Sequence, residues 1–373
     1  MRKYVYQYRS WPNLSWDSAA LSPMLSELRL KQGIIIGRLE AAGFALREQT
    51  MLESLSDEIT DSFKIEGESI DLVSVRSSIA RKLGINHAGV DPTLHTDHFV
   101  EGVVDMMLDA TNKSNEPLTK DRLFAWHAAL FPTGYSGLKK IDVAAWRSEE
   151  MKIVSGALGK EVTHYVAPSP ESLPAEMDAF LTWLNASDMG SNIDPILKAG
   201  AAHYRFIMIH PFDDGNGRLA RAISEMLLAR ADAGRPRYCS LSSRMFAERK
   251  DYYATLEKTQ YADGDISEWL AWYLGCLSRA VNDSMQRVES TLRKADFWDK
   301  HRDNTFNARQ QRVLNKILDG FEAKLTTKRW ARICKVSHDT ALRDIKELIE
   351  ESVLVPEAAG GRSTAYVLAP FEK

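Results

Sequence analysis

The sequence has 373 residues, of which 44% are hydrophobic and 27% charged, with 48 basic and 51 acidic side chains and a formal net charge of -3. The apolar fraction suffices for a sizeable core and excludes a disordered chain. At roughly 150 residues per domain, the length predicts two or three domains. Near neutrality argues against a protein that is basic throughout, as a general nucleic-acid binder would be.

The three cysteines, Cys239, Cys276 and Cys334, lie far apart in the sequence. An odd number without a C-x-x-C pair excludes a disulfide scaffold and a zinc ribbon. No stretch approaches the ~18 to 20 consecutive apolar residues of a membrane span, and the N-terminus lacks the apolar core of a secretion signal. We therefore expect a cytoplasmic protein without a membrane partner.

Most long segments have the hydrophobic period of a helix. Between residues 21 and 53 the apolar residues recur at every third and fourth position, which predicts one helix or a helix pair. The same period predicts helices over residues 117–130, 173–184 and 194–209, the last with an Asp-Pro start signal. Strand signals are few. Residues 151–155 and 162–166 flank a Gly-Ala-Leu-Gly-Lys turn and predict one β-hairpin.

Two polar or charged stretches, residues 111–117 and 293–307, indicate domain boundaries. After the second, residues 311–318, 331–336 and 340–352 have the pattern of three short helices. Two strands, 353–356 and 365–368, follow around Gly360-Gly361, which is the order of a winged helix-turn-helix. We expect a mainly α protein with an N-terminal helical domain (1–112), a core (113–292) and a winged helix (305–373).

The predicted winged helix is locally basic. Residues 324–346 contain seven basic and two acidic side chains. Two partners fit such a surface: DNA, through phosphate contacts, or another protein.

The densest group of chemically useful side chains is the sequence H-P-F-D-D-G-N-G-R-L-A-R, residues 210–221. Gly215 and Gly217 allow close backbone approach at the start of the next helix, where N–H groups and the helix dipole favour an anion. Arg218 and Arg221 lie three residues apart on that first turn and can hold further phosphates.

A carboxylate and a base complete this group. Asp214 lies where a Mg²⁺ ion bridging phosphate oxygens would bind, and His210 is a base that can be neutral near pH 7. Together these residues predict phosphoryl or nucleotidyl transfer. A calcium loop is excluded because Phe212 and Ile223 stand where it needs acids, and the loop lacks the Gly-Lys-Ser/Thr of a Walker motif.

The twelve residues resemble the signature of Fic-domain proteins, His-x-Phe-x-Asp/Glu-Gly-Asn-Gly/Lys-Arg with a second Arg three residues later, and match it at every fixed position. The resemblance is strongest over about residues 115–275. It implies an all-α bundle with the hairpin as a flap. It also implies that AMP is transferred from ATP to a Ser, Thr or Tyr hydroxyl of a target protein and of the chain itself.

The resemblance also implies a role for each residue. His210 would take the proton of the attacking hydroxyl, Asp214 would hold Mg²⁺, and Phe212 would anchor the core. Asn216 and the amides of residues 215–218 would stabilise charge on the transferring group. Arg218 and Arg221 would bind the β- and γ-phosphates. The residues implied to bind ATP are Gly215, Asn216, Gly217, Arg218, Leu219, Ala220, Arg221, Tyr252, Val162 and Tyr165.

A second short motif, S-F-K-I-E-G at residues 62–67, resembles the Fic inhibitory motif Ser/Thr-x-x-x-Glu-Gly/Asn. The resemblance makes Ser62, Glu66 and Gly67 inhibitory residues. Glu66 would pair with Arg221 and occupy the place of the γ-phosphate.

Further implications concern partners and alternatives. The flap, residues 151–166, would dock the target segment as an added strand, and relatives suggest a homodimer. Residues 11–16 resemble the opening of the helical domain that precedes Fic in many bacterial proteins. His164 is interpreted as a hairpin surface residue and His203 as a core histidine. The alternatives left open are another donor (UTP, GTP or a choline nucleotide), removal of AMP, and a DNA-binding regulator with a vestigial Fic core.

Overall fold

The computed structural model describes residues 2–85, 96–155, 162–186, 193–320, 324–357 and 364–370. The protein is mainly helical, as predicted. The helices are α1 (Ser18–Ala42), α2 (Phe44–Ile65), α3 (Leu72–Leu83), α4 (His98–Asn112), α5 (Lys120–Leu130), α6 (Leu173–Asn185), α7 (Pro195–Ile209), α8 (Asn216–Ala231), α9 (Leu241–Ala247), α10 (Arg249–Thr259), α11 (Ser267–Lys300), α12 (Ala308–Leu318), α13 (Thr327–Cys334) and α14 (His338–Glu350). The strands are β1 (Tyr135–Ser136), β2 (Lys139–Lys140), β3 (Lys152–Ser155), β4 (Val162–Val166), β5 (Leu325–Thr326), β6 (Leu354–Pro356) and β7 (Ala365–Leu368).

The chain divides into two compact units, Met1–Ser284 and Met285–Lys373. The first unit contains both the N-terminal region and residues 113–284 of the predicted core, which the polar stretch at 111–117 was expected to separate. The second expected boundary, residues 293–307, is helical as far as Lys300, where α11 ends. In the part of the chain that the structure describes, every helix is too short or too polar to cross a membrane.

The helical period over residues 21–53 belongs to a helix pair. Asp17 caps α1 by accepting from the N–H groups of Ala19 and Ala20, and Gly43 separates α1 from α2 with a φ of +96°. Glycine adopts this conformation without the steric penalty of a side chain. The break lets α2 run on to Ile65, so the motif at residues 62–67 lies at its C-terminal end, where Gly67 has a φ of +81°.

Helices α7 and α8 form the centre of the first unit. Asp194 caps α7, as predicted, by accepting from the N–H of Ile196. All residues of α7 from Ile196 to Ile209 are buried, and α8 is buried over most of its length. A helix that is apolar or satisfied on every side is enclosed by others. The loop between α7 and α8 is therefore held from both ends by the core.

The predicted hairpin is present as β3 and β4, an antiparallel pair in which Lys152 is opposite Val166 and Ser155 opposite Val162. The register shifts between Ile153 and Val154. The predicted turn, residues 156–160, lies outside the described residues.

The second unit has the predicted three helices, α12 to α14, around a core that includes Trp330, Val313 and Ile345. The strands order as β5-β7-β6, so β5, which is only two residues long and was not predicted, adds a third strand. Gly360 and Gly361 lie outside the described residues. Arg343 and Lys346 of α14 are exposed, and DNA contact through them stays a prediction.

Candidate active site

The loop between α7 and α8 forms a tight turn that exposes a helix N-terminus. Gly215 lies immediately before α8 with a φ of +80°, and a Cβ atom there would come within 2.8 Å of the Phe131 ring. Only glycine fits both restrictions. The first N–H groups of α8 have no carbonyl partner within the helix and carry its positive dipole end. The anion site that the sequence predicts would lie at this helix N-terminus.

The side chain of Asn216 fastens this turn. Its Oδ1 accepts from the N–H of Phe212 at 3.0 Å, and its Nδ2 donates to the Phe212 carbonyl at 2.8 Å. Both polar atoms of the amide are therefore bonded to the loop backbone. Contact of Asn216 with the transferring group stays a prediction; the described geometry makes it a residue that fixes the loop.

Phe212 and His127 connect the loop to α5. The ring of Phe212 is fully buried and stacks on that of His127, with centroids 4.1 Å apart. His127 Nδ1 accepts from the N–H of Ala144, so the ring proton lies on Nε2 and is donated to the carbonyl of Asp214 at 3.2 Å. Burial lowers the pKa of His127 to about 4, which keeps this tautomer neutral. No sequence motif pointed to His127.

His210 ends α7 in the left-handed conformation, with a φ of +52° and a ψ of +60°. Its Nδ1 lies 3.2 Å from the carbonyl oxygen of Ile207. A carbonyl can only accept, so Nδ1 carries the proton and Nε2 has a free lone pair. Burial lowers the pKa of His210 to about 4. The side chain is therefore a neutral base at neutral pH, as its predicted role requires.

Arg221 and the end of α2 form a buried contact. Arg221 is 1% exposed, its Nε donates to the Ser62 hydroxyl at 2.8 Å, and its Nη2 donates to the Ser62 carbonyl and to Glu66 Oε1. The distance from Nη2 to Glu66 is 2.7 Å. Burial alone would lower the pKa of Arg221, but the adjacent Glu66 carboxylate raises it overall. The pair that the resemblance implies is thus formed.

Arg218 has a carboxylate partner that the sequence did not reveal. Its Nη1 donates to Glu68 at 2.6 Å, and its Nη2 lies 3.6 Å from Asp214. The guanidinium also lies over the rings of Phe63 and Phe131. Burial raises the pKa of Glu68, and Arg218 partly offsets that effect. Glu68 follows the inhibitory motif by one residue, so the C-terminal end of α2 places one carboxylate on each arginine.

The two arginines retain buried donors. In the part of the chain that the structure describes, Nε and Nη2 of Arg218 and Nη1 of Arg221 have no hydrogen-bond partner. Buried N–H groups without partners cost about 1–3 kcal/mol each, so a bound anion would be favoured here. Glu66 lies in the same space, because a Cβ atom on Gly217 would clash with its Oε1. The Glu66 carboxylate therefore occupies the space next to the N-terminus of α8.

Asp214 has the properties of a ligand for a metal that arrives with phosphates. Its Oδ1 accepts from the N–H of Gly215, its Oδ2 from the Ser136 hydroxyl, and its side chain is 39% exposed. No cluster of three or more metal-binding side chains occurs among the described residues. Mg²⁺ fits such a position, since it keeps several waters and uses one or two carboxylates together with substrate phosphates.

The structure places several of the predicted nucleotide contacts in the core. Tyr165 is buried and its hydroxyl donates to the carbonyl of Met208. Tyr252 is 1% exposed and its hydroxyl lies 2.9 Å from Nε2 of His203. Neither hydroxyl is open to a nucleotide in this geometry. Leu219 and Ala220 are fully buried in α8, and Val162 begins β4.

His203 is a core residue, as interpreted from the sequence. It is fully buried, its Nδ1 lies 3.1 Å from the Ser224 hydroxyl, and burial lowers its pKa to about 3. His164 on β4 lies 3.2 Å from Glu257 and is partly exposed.

A mainly helical fold thus places a neutral histidine and two buried arginines around a helix N-terminus, an arrangement that suits binding of an anion. Comparison with known families is consistent with this arrangement. The Fic/DOC family matches residues 117–228, and a domain of unknown function (DUF4172) matches residues 4–85. The chain therefore contains a Fic/DOC family domain at residues 117–228.

Individual relatives agree with this assignment. A protein named protein adenylyltransferase Fic from Nematostella vectensis is 26% identical over 244 residues, which are 65% of this chain and 51% of that protein. One of the same name from Culex quinquefasciatus is 27% identical over 232 residues, 62% of this chain and 41% of its own length. The chain thus spans about half the length of these relatives.

One solved structure resembles most of the chain. A Fic family protein from Desulfovibrio desulfuricans superposes with a TM-score of 0.52 and 20% identity, covering 96% of this chain and 98% of the other. At this identity the likeness concerns the fold.

Proposed function

We propose that this protein transfers AMP from ATP to a Ser, Thr or Tyr hydroxyl of a target protein, and to its own hydroxyls, and that Glu66 restrains the reaction. The observation that carries the proposal is the free Nε2 of a neutral His210 in the same loop as two buried arginines with unpartnered N–H groups. The names of the relatives, protein adenylyltransferase, support the choice of AMP as the transferred group.

In the proposed reaction the hydroxyl oxygen of the target forms a bond to the α-phosphorus of ATP, and the bond from that phosphorus to the bridging oxygen breaks. The hydroxyl proton goes to Nε2 of His210, and pyrophosphate leaves. Arg218, Arg221 and the first amides of α8 hold the phosphates and the charge that develops on them. Asp214 would hold Mg²⁺, which neutralises phosphate charge when bound.

The proposal is tested by the position of the label. On the Glu66→Gln protein, ATP labelled at the α-phosphate should label the protein, while ATP labelled at the γ-phosphate should not. Incorporation of γ-label would contradict AMP transfer and indicate phosphate transfer. If UTP, GTP or a choline nucleotide labels the protein in preference to ATP, that nucleotide and not ATP is the donor.

The second carboxylate at the end of α2 supports a smaller restraint. Glu68 is 43% exposed and pairs with Arg218, so its effect is screened by solvent. In the Glu66→Gln background, we expect Glu68→Gln to tighten ATP binding by about twofold to fivefold, the range of a partly exposed ion pair. Titration calorimetry measures this change. The control is Glu53→Gln, which breaks the partly exposed pair of Glu53 with Arg76 on α2, away from the loop, and should leave the affinity unchanged.

A further inference from the structure

Arg147 lies in the segment between β2 and β3 and is 2% exposed. Its guanidinium donates to three main-chain carbonyls: Nε to His210 at 2.9 Å, Nη1 to Glu149 at 2.8 Å, and Nη2 to Pro168. Its own N–H donates to the carbonyl of Pro211 at 2.9 Å. Arg147 thus bonds to the residue that supplies the base and to the residue after it.

The three carbonyls belong to three separate segments. His210 is in the loop between α7 and α8, Glu149 precedes β3, and Pro168 follows β4. A planar guanidinium with donors in fixed directions sets the positions of all three carbonyls at once. Arg147 therefore joins His210 to both outer ends of the hairpin.

Placing a charged residue at this position costs free energy that a neutral residue would not cost. Burial lowers the pKa of Arg147 by more than nearby groups, including the carboxylates of Asp213 and Glu171, raise it, and among the described residues its hydrogen-bond acceptors are carbonyls rather than carboxylates. Burying a guanidinium that bonds only to carbonyls is unfavourable, and neutral polar or apolar residues could join the same segments. The positive charge therefore has a consequence for the nearby histidine.

We propose that Arg147 is a positioning residue that fixes the hairpin relative to Nε2 of His210 and, through its charge, keeps that histidine unprotonated. The proposal rests on the proposed function, in which the hairpin docks the target segment and His210 takes its proton. A target strand held by β3 and β4 would then reach the base at a distance that Arg147 sets.

The charges around His210 act in opposite directions. Burial is the main cause of its lowered pKa; Arg147 lowers it further, while Glu66 and Asp214 raise it. Removing the arginine charge should therefore raise the pKa of His210 toward the ordinary histidine value.

The test uses three variants of the full chain in the Glu66→Gln background, with self-labelling by α-labelled ATP as the assay. Arg147→Met removes the charge and the donors, and we expect the transfer rate at neutral pH to fall by ~10- to 100-fold, as a misplaced base does. The acid limb of its pH profile should move to higher pH. Affinity for ATP, measured by calorimetry, should change by less than about threefold, because Arg218, Arg221 and α8 bind the phosphates.

Arg147→Lys separates charge from geometry. Lysine keeps the positive charge but lacks the several fixed donors of the guanidinium. The transfer rate should therefore stay low, while the acid limb of the pH profile returns toward that of the parent. The matched control is Arg205→Met, since Arg205 is also 2% exposed and lies over the rings of Trp11, Phe180 and Trp183. Its loss should lower thermal stability without moving the pH profile.

The outcomes are distinct. If the Glu66→Gln parent takes up no label, the proposed function fails before Arg147 is tested. If the parent is labelled and Arg147→Met keeps both its rate and its pH profile, or loses ATP affinity in proportion to rate, the inference about Arg147 is overturned. Should Arg147→Met fail to fold, Arg147→Lys decides, because an unchanged rate in that variant overturns the positioning role.

Discussion

Glu66→Gln should raise self-labelling from α-labelled ATP by on the order of 10- to 100-fold. The Glu66 carboxylate accepts a hydrogen bond of 2.7 Å from the buried Arg221 and lies against Gly217 at the start of α8. A hydrogen bond to a charged group contributes about 1.5–3 kcal/mol, and each 1.4 kcal/mol is a factor of ten in an equilibrium. Glutamine has the same size without the charge, so the end of α2 keeps its shape. The side chain at position 66 is then displaced more easily by the γ-phosphate of ATP.

A matched substitution on the same helix controls for loss of charge alone. Glu53 of α2 pairs with Arg76 at 3.2 Å, and both side chains are one-third exposed. Glu53→Gln makes the same chemical change far from the loop and should leave labelling as in the wild type. Labelling of Glu66→Gln at the wild-type level, with ATP bound equally well by both proteins, would contradict restraint by Glu66.

The sequence was most informative where the chemistry is local. His210, Asp214, both glycines and both arginines lie within twelve residues, so their type and order could be interpreted without knowing the fold. The Asp194 cap was equally local, because a capping side chain acts within its own first turn. Such features depend on neighbours in the chain.

Features that depend on distant residues could not be predicted. Glu68 and Arg218 are 150 positions apart, and only the packing of α2 near α8 brings them together. Arg147 bonds to His210 across 63 positions. A single sequence shows which residues a helix or strand contains, but not which segment each face meets, and pairing across such separations is set by tertiary structure.

The same limit explains the tyrosines. Tyr165 and Tyr252 belong to elements that border the site, and the resemblance implies nucleotide contact for both. The structure turns their hydroxyls to Met208 and His203 instead, because a buried phenol must find an acceptor. Both side chains thus belong to the core in this structure, and nucleotide contact by Tyr165 and Tyr252 stays a prediction.

His210→Asn in the Glu66→Gln background should reduce labelling by at least ~100-fold, because general-base catalysis contributes on the order of 10²–10⁴ in rate. Asparagine is the sharper substitution here, since it tolerates the left-handed backbone that His210 adopts at a φ of +52°, whereas alanine is strained there. ATP affinity should be retained, because the phosphate contacts come from α8. A variant that keeps the parent rate would contradict the role of His210 as base.

The pH dependence of the Glu66→Gln parent provides an independent check on the same histidine. The unprotonated form is the base, and its pKa is lowered to about 4, so the base form persists well below the usual histidine range. Glu66 raises that pKa, so its neutralisation should move the acid limb lower still. We expect the rate to stay level from about pH 8 down to about pH 5.5 and to fall only as pH approaches the lowered value, whereas an exposed histidine near 6.5 would already have lost most of its base form. A limb centred near 6.5, with the protein folded by circular dichroism throughout, would show that His210 is not held neutral by its burial.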